Sequence, residues 1–122
     1  MRPEERDPAY LWDMHEAARA ILEYVDDQNS DEFLSLDKEQ RILRLAVERQ
    51  LEILGEAARR VSPSFQAEHP EIPWREIVGL RNLISHEYNR IDYAAIYRIV
   101  RKNIPDLLPA LGRLVPPPPP EE

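Results

Sequence analysis

The chain has 122 residues, which is enough for one domain with a modest core. It contains no cysteine, so disulfides and thiolate metal sites are excluded, and it has no apolar run of about eighteen residues that would span a membrane. Its formal net charge of −7 argues against simple electrostatic binding of nucleic acid.

The negative charge is unevenly distributed along the chain. The segment from Arg75 to Lys102 holds six basic and three acidic residues and so carries +3, which leaves −10 for the remainder. Because binding depends on where charge lies, this asymmetry predicts a basic patch on an otherwise acidic body.

Residues 1–7 form a charged start without the apolar stretch of a secretory signal, so we expect a cytoplasmic protein. Asp7 followed by Pro8 predicts an N-cap and the first helical position of a long helix. Apolar residues then recur at helical spacing until about Asp26. They are Leu11, Met14, Ala18, Ile21, Leu22 and Val25.

A single turn over residues 30–36 leads to the longest helix, which the pattern places at about 38–60. Asp37 and Gln40 predict a capping box at its start. Its apolar stripe is wider than one neighbour requires, so the helix is either central or shared with a second subunit. Gly55 inside it costs about 1 kcal/mol relative to alanine, which a close helix–helix approach would explain, as would ordinary drift.

Ser62-Pro63 predicts a short helix that ends at His69-Pro70, and Pro73 begins the helix that carries most of the chemistry. At about 100° per residue, its polar groups fall within an arc of roughly 160°. The opposite side is apolar and predicts a core face. The polar side holds Arg81, Asn82, Ser85, His86, Tyr88 and Asn89, and the apolar side holds Ile77, Leu80, Leu83 and Ile84.

After a break, Asp92 is placed to cap the last helix, and Pro105 and Pro109 predict a kink or restart after Asn103. The prolines from Pro116 to Pro120 form a polyproline tail. The predicted class is all-α, a compact bundle of four to five helices. We divide the chain into a charged start (1–7), a helical domain (8–114) and a proline-rich tail (115–122).

Metal and nucleotide chemistry have no support in the pattern. His15, His69 and His86 lie on separate elements, outside any known metal-ligand spacing, and there is no glycine-rich phosphate loop. We therefore expect no metal and no cofactor.

One pattern on the helix that begins at Pro73 consists of Arg81, four further residues, His86, one further residue and Tyr88. With it, the chain resembles the HEPN superfamily, specifically the HepT-like toxins of prokaryotic toxin–antitoxin pairs. The resemblance extends over residues 8–112, and Glu87 and Asn89 depart from it, where glycine and phenylalanine are usual. The segments that carry it are Leu54-Gly55-Glu56-Ala57-Ala58, Ser62, His69-Pro70-Glu71-Ile72-Pro73-Trp74-Arg75-Glu76-Ile77, Arg81-Asn82-Leu83-Ile84-Ser85-His86 and Ile91-Asp92.

The resemblance implies a homodimeric, metal-independent endoribonuclease whose two motif helices meet across a shared cleft. Arg81 and His86 would be catalytic, with Asn82 and Ser85 in support. These residue types suit the reaction, since a histidine exchanges protons near neutral pH and arginine offers a planar fork of donors to phosphate oxygens. The substrate would be RNA, with tRNA and mRNA both open.

The resemblance also implies that Tyr88 accepts an adenylyl group from a cognate minimal nucleotidyltransferase antitoxin, as in a type VII-like pair. Related pairs neutralise the toxin by binding alone, so that mode stays open. Structurally, Tyr88 would instead brace Arg81. The competing class is a non-catalytic helical dimer that acts as an adaptor or substrate-binding partner of a nucleotidyltransferase, since the Glu87 carboxylate beside the motif repels phosphate.

Overall fold

The computed structural model describes residues 3–84 and 91–117, and these two ranges contain seven α-helices. No strand occurs in these two ranges, and the all-α prediction is confirmed. None of their helices combines the length and apolarity needed to cross a membrane. The helices are α1 (Pro3–Val25), α2 (Ser30–Phe33), α3 (Lys38–Arg60), α4 (Pro63–Glu68), α5 (Trp74–Ile84), α6 (Tyr93–Lys102) and α7 (Ile104–Gly112).

The count exceeds the predicted four to five because the turn predicted over residues 30–36 contains a short helix of its own, α2, and the last helix divides into α6 and α7. Asn103 ends α6 and precedes α7, so the predicted restart at this residue is confirmed. Pro105 lies in the first turn of α7, where the missing N–H has no helical partner to lose. Pro117 is the last described residue of the tail.

The central element is α3, which packs against α1 on one side and α5 on the other. Helix α7 closes the bundle by packing against α1 and α6. The predicted bounds of α3 are confirmed, and its inner face is buried. Its fully buried apolar side chains join those of the neighbouring helices in one core, which includes Met14, Ile21, Phe33, Val47, Leu51, Leu54, Ile96, Ile104 and Leu111.

The predicted N-cap at Asp7 is wrong, because α1 already begins at Pro3 and includes Pro8. Asp7 is 3% exposed, and its carboxylate accepts hydrogen bonds from the Ser62 backbone N–H at 2.8 Å and the Ser62 hydroxyl at 2.6 Å. Charge-assisted bonds of this kind are stronger than neutral ones. Asp7 therefore joins α1 to the start of α4, a long-range role that local spacing does not indicate.

The predicted capping box at Asp37 and Gln40 is also wrong. Asp37 stands at the N-cap position of α3, but its side chain makes no cap hydrogen bond. A capping box forms one helix earlier, where the Glu32 N–H donates to Asn29 at 2.9 Å and the Asn29 N–H donates to Glu32 at 3.2 Å. This box satisfies two backbone N–H groups at the start of α2.

Other predicted helix boundaries are confirmed. Ser62 caps α4 by accepting from the Phe65 N–H at 3.3 Å, and His69 stands at its C-cap. Asp92 caps α6 by accepting from the Ala95 N–H at 3.0 Å. Helix α5 begins at Trp74, one residue after the predicted start.

Gly55 lies where α3 crosses α5, and the close approach that its position suggested is present. A Cβ atom on Gly55 would stand 3.1 Å from the Ile77 carbonyl oxygen, 3.8 Å from that of Val78 and 3.9 Å from the Arg81 backbone nitrogen. Only a residue without a side chain lets the two backbones lie this close. The crossing therefore fixes the position of α5 along the axis of α3, at the turn of α5 that carries Arg81.

Gly55→Ala should destabilise the protein, because the added methyl meets backbone rather than a flexible side chain. Overpacking costs about 1–3 kcal/mol and exceeds the helix-propensity gain of about 1 kcal/mol. The matched control is Gly79→Ala in α5, where a Cβ has no neighbour within 4 Å and the propensity gain stands alone. Urea unfolding followed by circular dichroism should show opposite signs, and equal stabilisation by both variants would contradict the close approach.

Candidate functional site

A cleft of about 670 Å³ opens between α1, α3 and α5. Its wall carries four arginines and three carboxylates, a local charge of +1 on a chain whose total is −7. This is the candidate site. The lining residues are Tyr10 and Asp13 from α1, Arg49, Glu52, Ile53, Glu56, Ala57, Arg59 and Arg60 from α3, and Arg81 from α5.

Arg81 reaches the cleft because α5 is amphipathic. Ile77, Leu80 and Ile84 are buried against the core, and this part of the predicted core face is confirmed. On the other side Arg81 and Asn82 are exposed, as predicted for a polar face. The Arg81 side chain is 63% exposed, so its guanidinium is available to a ligand.

Ser85, His86 and Tyr88 lie outside the described residues, as do Glu87 and Asn89. The roles expected for them stay predictions. Of the predicted site residues, Arg81 and Asn82 are described, and Arg81 lines the cleft.

Glu56 organises the arginines of the cleft. Arg59 donates to its carboxylate at 2.7 and 3.3 Å, Arg60 donates at 2.9 Å, and Arg81 Nη1 lies 3.9 Å away. The hydrogen bonds from Arg59 and Arg60 lower the pKa of the Glu56 carboxyl to about 2. Three guanidinium groups from two helices thus share one ionised carboxylate.

Among the described residues of the predicted basic patch, only Arg81 lines the cleft. Arg75, Arg98 and Lys102 do not line it, and Arg101 instead donates to the Gln28 carbonyl oxygen and lies over the ring of Tyr97. The other cleft arginines belong to α3, in the part of the chain whose net charge is negative. For that reason the sequence pattern did not indicate them, and it did not indicate Tyr10 either.

Gly55 is the feature of the sequence from which the position of these arginines beside α5 could have been predicted. A glycine in a helix crossing places its sequence neighbours beside the partner helix, and the next residues along this face of α3 are Glu56, Arg59 and Arg60. Combining the crossing with the exposed position of Arg81 would have brought both sets of arginines to one cleft.

A second contact with α3 fixes the chain just after the motif. The Tyr93 hydroxyl donates to Glu48 at 2.5 Å, and the guanidinium of Arg44 lies 5.2 Å from the Tyr93 ring centroid. Burial raises the pKa of Tyr93 to about 12, and the hydrogen bond to Glu48 acts in the same direction. The hydroxyl therefore stays protonated and remains a donor.

Arg44 extends this contact to the turn before α3. It is 6% exposed and donates to the carbonyl oxygens of Phe33 at 2.5 Å and Ser35 at 2.7 Å. A buried guanidinium is stable only when its donors are satisfied, as they are here. The start of α6 is thus held to both α3 and the turn after α2.

Two of the three cleft carboxylates pair with arginines: Glu52 lies 3.4 Å from Arg49, and Glu56 pairs with Arg59, Arg60 and Arg81. Within residues 3–84 and 91–117, no group of three or more histidine, cysteine, aspartate or glutamate side chains is placed to hold a metal ion.

Comparison with known proteins gives a family match over residues 14–114, to the family described as ribonuclease HepT-like. The chain belongs to the HepT-like ribonuclease family. The match includes α3 and α5 and therefore all the cleft arginines, whereas Tyr10 and Asp13 precede it. The family resemblance predicted from the motif is confirmed.

Relatives of this HepT-like chain carry ribonuclease names. A candidate RNase of Methanocaldococcus jannaschii is 38% identical over 99 residues, covering 81% of this chain and 87% of the relative. A candidate ribonuclease HepT of Thermococcus cleftensis is 38% identical over 98 residues, covering 80% and 86%. A second candidate RNase of M. jannaschii is 31% identical over 113 residues, covering 93% and 90%. No solved structure matches the chain.

Proposed function

We propose that this HepT-like chain is a metal-independent endoribonuclease and the toxin of a type VII-like toxin–antitoxin pair. The observation that carries the proposal is the position of Arg81, exposed at a cleft whose other walls supply three more arginines. Membership in a ribonuclease family and ribonuclease-named relatives support the same reaction. The proposed substrate is RNA.

The reaction requires charge stabilisation at phosphorus, and Arg81 suits that role. The RNA 2′-hydroxyl attacks the adjacent phosphate, forming a new P–O bond, while the bond to the 5′-oxygen of the next nucleotide breaks. Negative charge grows on the two remaining phosphate oxygens in the transition state. An always-charged planar guanidinium donates to both oxygens, and its interaction with them is stronger in that state than in the ground state.

Proton transfer falls to His86 in this proposal. The base removes the proton of the 2′-hydroxyl and an acid delivers one to the departing 5′-oxygen, so atoms and charges balance. An imidazole with a pKa near 6.5 serves either step near neutral pH. Two histidines, one from each subunit of a dimer, would supply base and acid together. Asn82, one turn before His86 in sequence, would orient the ring or bind phosphate.

The outer face of α3 supports a homodimer. Ile42 is 56% exposed and Leu45 is 61% exposed, although both are apolar, and Leu36 just before the helix is 82% exposed. Arg49 and Glu56 continue the same stripe at helical spacing into the cleft. A second copy seated on Ile42 and Leu45 would therefore lie beside the cleft and share it.

Regulation is proposed at Tyr88. A minimal nucleotidyltransferase antitoxin would direct the tyrosine oxygen to the α-phosphorus of ATP; a P–O bond forms, pyrophosphate leaves and the hydroxyl proton passes to a base. The attached AMP adds bulk and negative charge two residues from His86 and seven from Arg81 in sequence. Such an anion offsets Arg81 and excludes RNA.

A non-catalytic adaptor for a nucleotidyltransferase is the second candidate. The observation that favours it is the set of three carboxylates in the cleft, Asp13, Glu52 and Glu56. In the sequence, Glu87 also stands next to His86 of the motif. Carboxylates repel phosphate, so a cleft of this composition also suits a protein that binds a partner without cutting RNA.

His86→Ala should lower RNA cleavage by at least about 100-fold, since general acid–base catalysis contributes factors of this size. The assay uses purified protein in excess EDTA with a labelled RNA pool, and far-UV circular dichroism checks that the helices are kept. His69→Ala is the matched control, because His69 stands at the end of α4 away from the cleft lining. Cleavage that survives in His86→Ala contradicts the mechanism, and unmodified protein that cuts no RNA favours the adaptor.

Tyr88→Phe should abolish a partner-dependent mass increase of one adenylyl group. Intact-mass spectrometry of the chain incubated with its cognate nucleotidyltransferase and ATP measures it, with Tyr10→Phe in the cleft as control. The control should still be modified. No mass increase in the unaltered protein, together with loss of cleavage on mixing, would mean that the partner neutralises by binding alone.

Ile42→Glu combined with Leu45→Glu should convert the dimer to monomer and reduce cleavage with it. Burial of each side chain is worth about 1.5–3 kcal/mol, so two charges in their place weaken association by more than about 100-fold. Sedimentation velocity measures the mass. Tyr24→Glu, at an exposed apolar residue of α1, is the control. A double variant that stays dimeric would place the interface elsewhere.

A further inference from the structure

Three guanidinium groups converge on Glu56, and their arrangement is that of a receptor for an oxyanion. Arg59 uses two donors, Nε and Nη2, against the two oxygens of the carboxylate. Arg60 Nε binds one of the same oxygens, and Arg81 approaches the other from α5. Carboxylate and phosphate present similar oxygen pairs to the planar fork of arginine. A phosphate thus has the chemistry to replace the Glu56 carboxylate here.

The exposure of the four side chains allows that exchange. Arg59, Arg60 and Arg81 are 53%, 52% and 63% exposed, and Glu56 is 37% exposed. Ion pairs in such positions are weak and compete with solvent and with other anions. The Glu56 contacts therefore hold the arginines in the free protein without closing the site.

Ligand binding rather than protonation must release the arginines. Arg59 and then Arg60 hold the pKa of Glu56 at about 2, so its carboxylate stays ionised at any pH where a histidine exchanges protons. An incoming anion displaces the Glu56 side chain, which can turn to solvent because it is partly exposed already.

Tyr10 makes a nucleotide a better occupant than a bare anion. It lines the same cleft beside Arg60, whose pKa is raised first by the hydrogen bond to Glu56 and further by the Tyr10 hydroxyl. Sites for single-stranded nucleic acid combine cationic groups for the backbone with an aromatic ring for a base. Arg60 and Tyr10 offer this combination.

We propose that Arg59 and Arg60 form a second phosphate subsite, which binds the phosphate of a nucleotide flanking the cut bond, and that Glu56 occupies this subsite in the absence of RNA. The inference rests on the proposed ribonuclease function and deepens it. Arg59 and Arg60, which hydrogen-bond to Glu56, hold the flanking phosphate and touch no reacting atom. Arg81, whose Nη1 atom lies 3.9 Å from Glu56 and so beyond hydrogen-bond distance, acts at the neighbouring phosphate that reacts.

The test is Glu56→Gln, which keeps the size of the side chain and removes its charge. Binding of a fluorescent single-stranded RNA with 2′-O-methyl groups throughout is measured by anisotropy in a His86→Ala background, so that no cleavage is needed. The variant should bind about three- to tenfold more tightly at physiological salt, since one competing charge is removed. Arg59→Gln with Arg60→Gln should weaken binding and flatten its salt dependence, by about 0.7 in the log–log slope for each phosphate that the protein no longer neutralises.

Glu23→Gln is the matched control, because Glu23 also pairs with one arginine, Arg19, at 2.8 Å. It lies ten residues beyond Asp13 on α1, about 15 Å along the helix and outside the Debye length of about 8 Å at physiological salt. Removing this charge should leave the RNA affinity unchanged. Equal tightening by both variants would mean that only the net charge matters, which overturns the subsite.

Kinetics separate masking from positioning. If Glu56 masks the subsite, Glu56→Gln in the otherwise unaltered protein should lower KM and leave kcat unchanged. A fall in kcat at constant KM would instead make Glu56 a positioning residue for Arg81, which would overturn the proposal. Failure of the ribonuclease proposal can be distinguished from failure of the subsite. Tighter RNA binding by Glu56→Gln without cleavage by any variant would reject the nuclease function but support the phosphate subsite. Absence of RNA binding in every variant rejects the subsite itself.

Discussion

The backbone contact between Gly55 on α3 and the Ile77–Arg81 turn of α5 is the constraint on which the cleft depends. A side chain at Gly55 would separate the two helices, and a separation of a few tenths of an ångström would move the Arg81 backbone away from Glu56. The close crossing places α5 so that the Arg81 guanidinium reaches the cleft, with its Nη1 atom 3.9 Å from the Glu56 carboxylate. The loss of helix propensity at Gly55 is the cost of this proximity.

Helix α3 also contacts the start of α6, which follows the motif in sequence. Its residue Glu48 accepts the Tyr93 hydroxyl bond at the start of α6, and Gly55 lies seven residues further along the same buried face. Helix α3 therefore contacts both α5, through Gly55, and the start of α6, through Glu48, at positions about 10 Å apart along its axis.

The bounds of α3 and the core face of α5 could be predicted from sequence because periodicity and caps are local properties. Asp7 shows the limit of local reasoning, since it resembles an N-cap yet bonds to Ser62, 55 residues away. Asp37 shows the same limit over a shorter distance, because it stands at the N-cap position of α3 and yet its side chain makes no cap hydrogen bond. Arg59 and Arg60 were missed for a second reason besides the negative charge of that part of the chain: they look like ordinary cations at a helix C-terminus, where the macrodipole favours them.

That helix-terminus explanation accounts for Arg59 and Arg60 but not for the approach of Arg81. The dipole of α3 favours cations on the last turn of α3 only. It does not explain why Arg81 of α5 lies beside the same carboxylate. The convergence arises because Gly55 brings α5 beside that turn. It also shows how a chain of net charge −7 presents a local surface of +1, since Glu52 and Glu56 pair with arginines of α3 and one more guanidinium arrives from a different helix. Exposed arginines that pair with a carboxylate remain available to an anion that binds better, and a phosphodiester that also engages Tyr10 has contacts that a single carboxylate lacks.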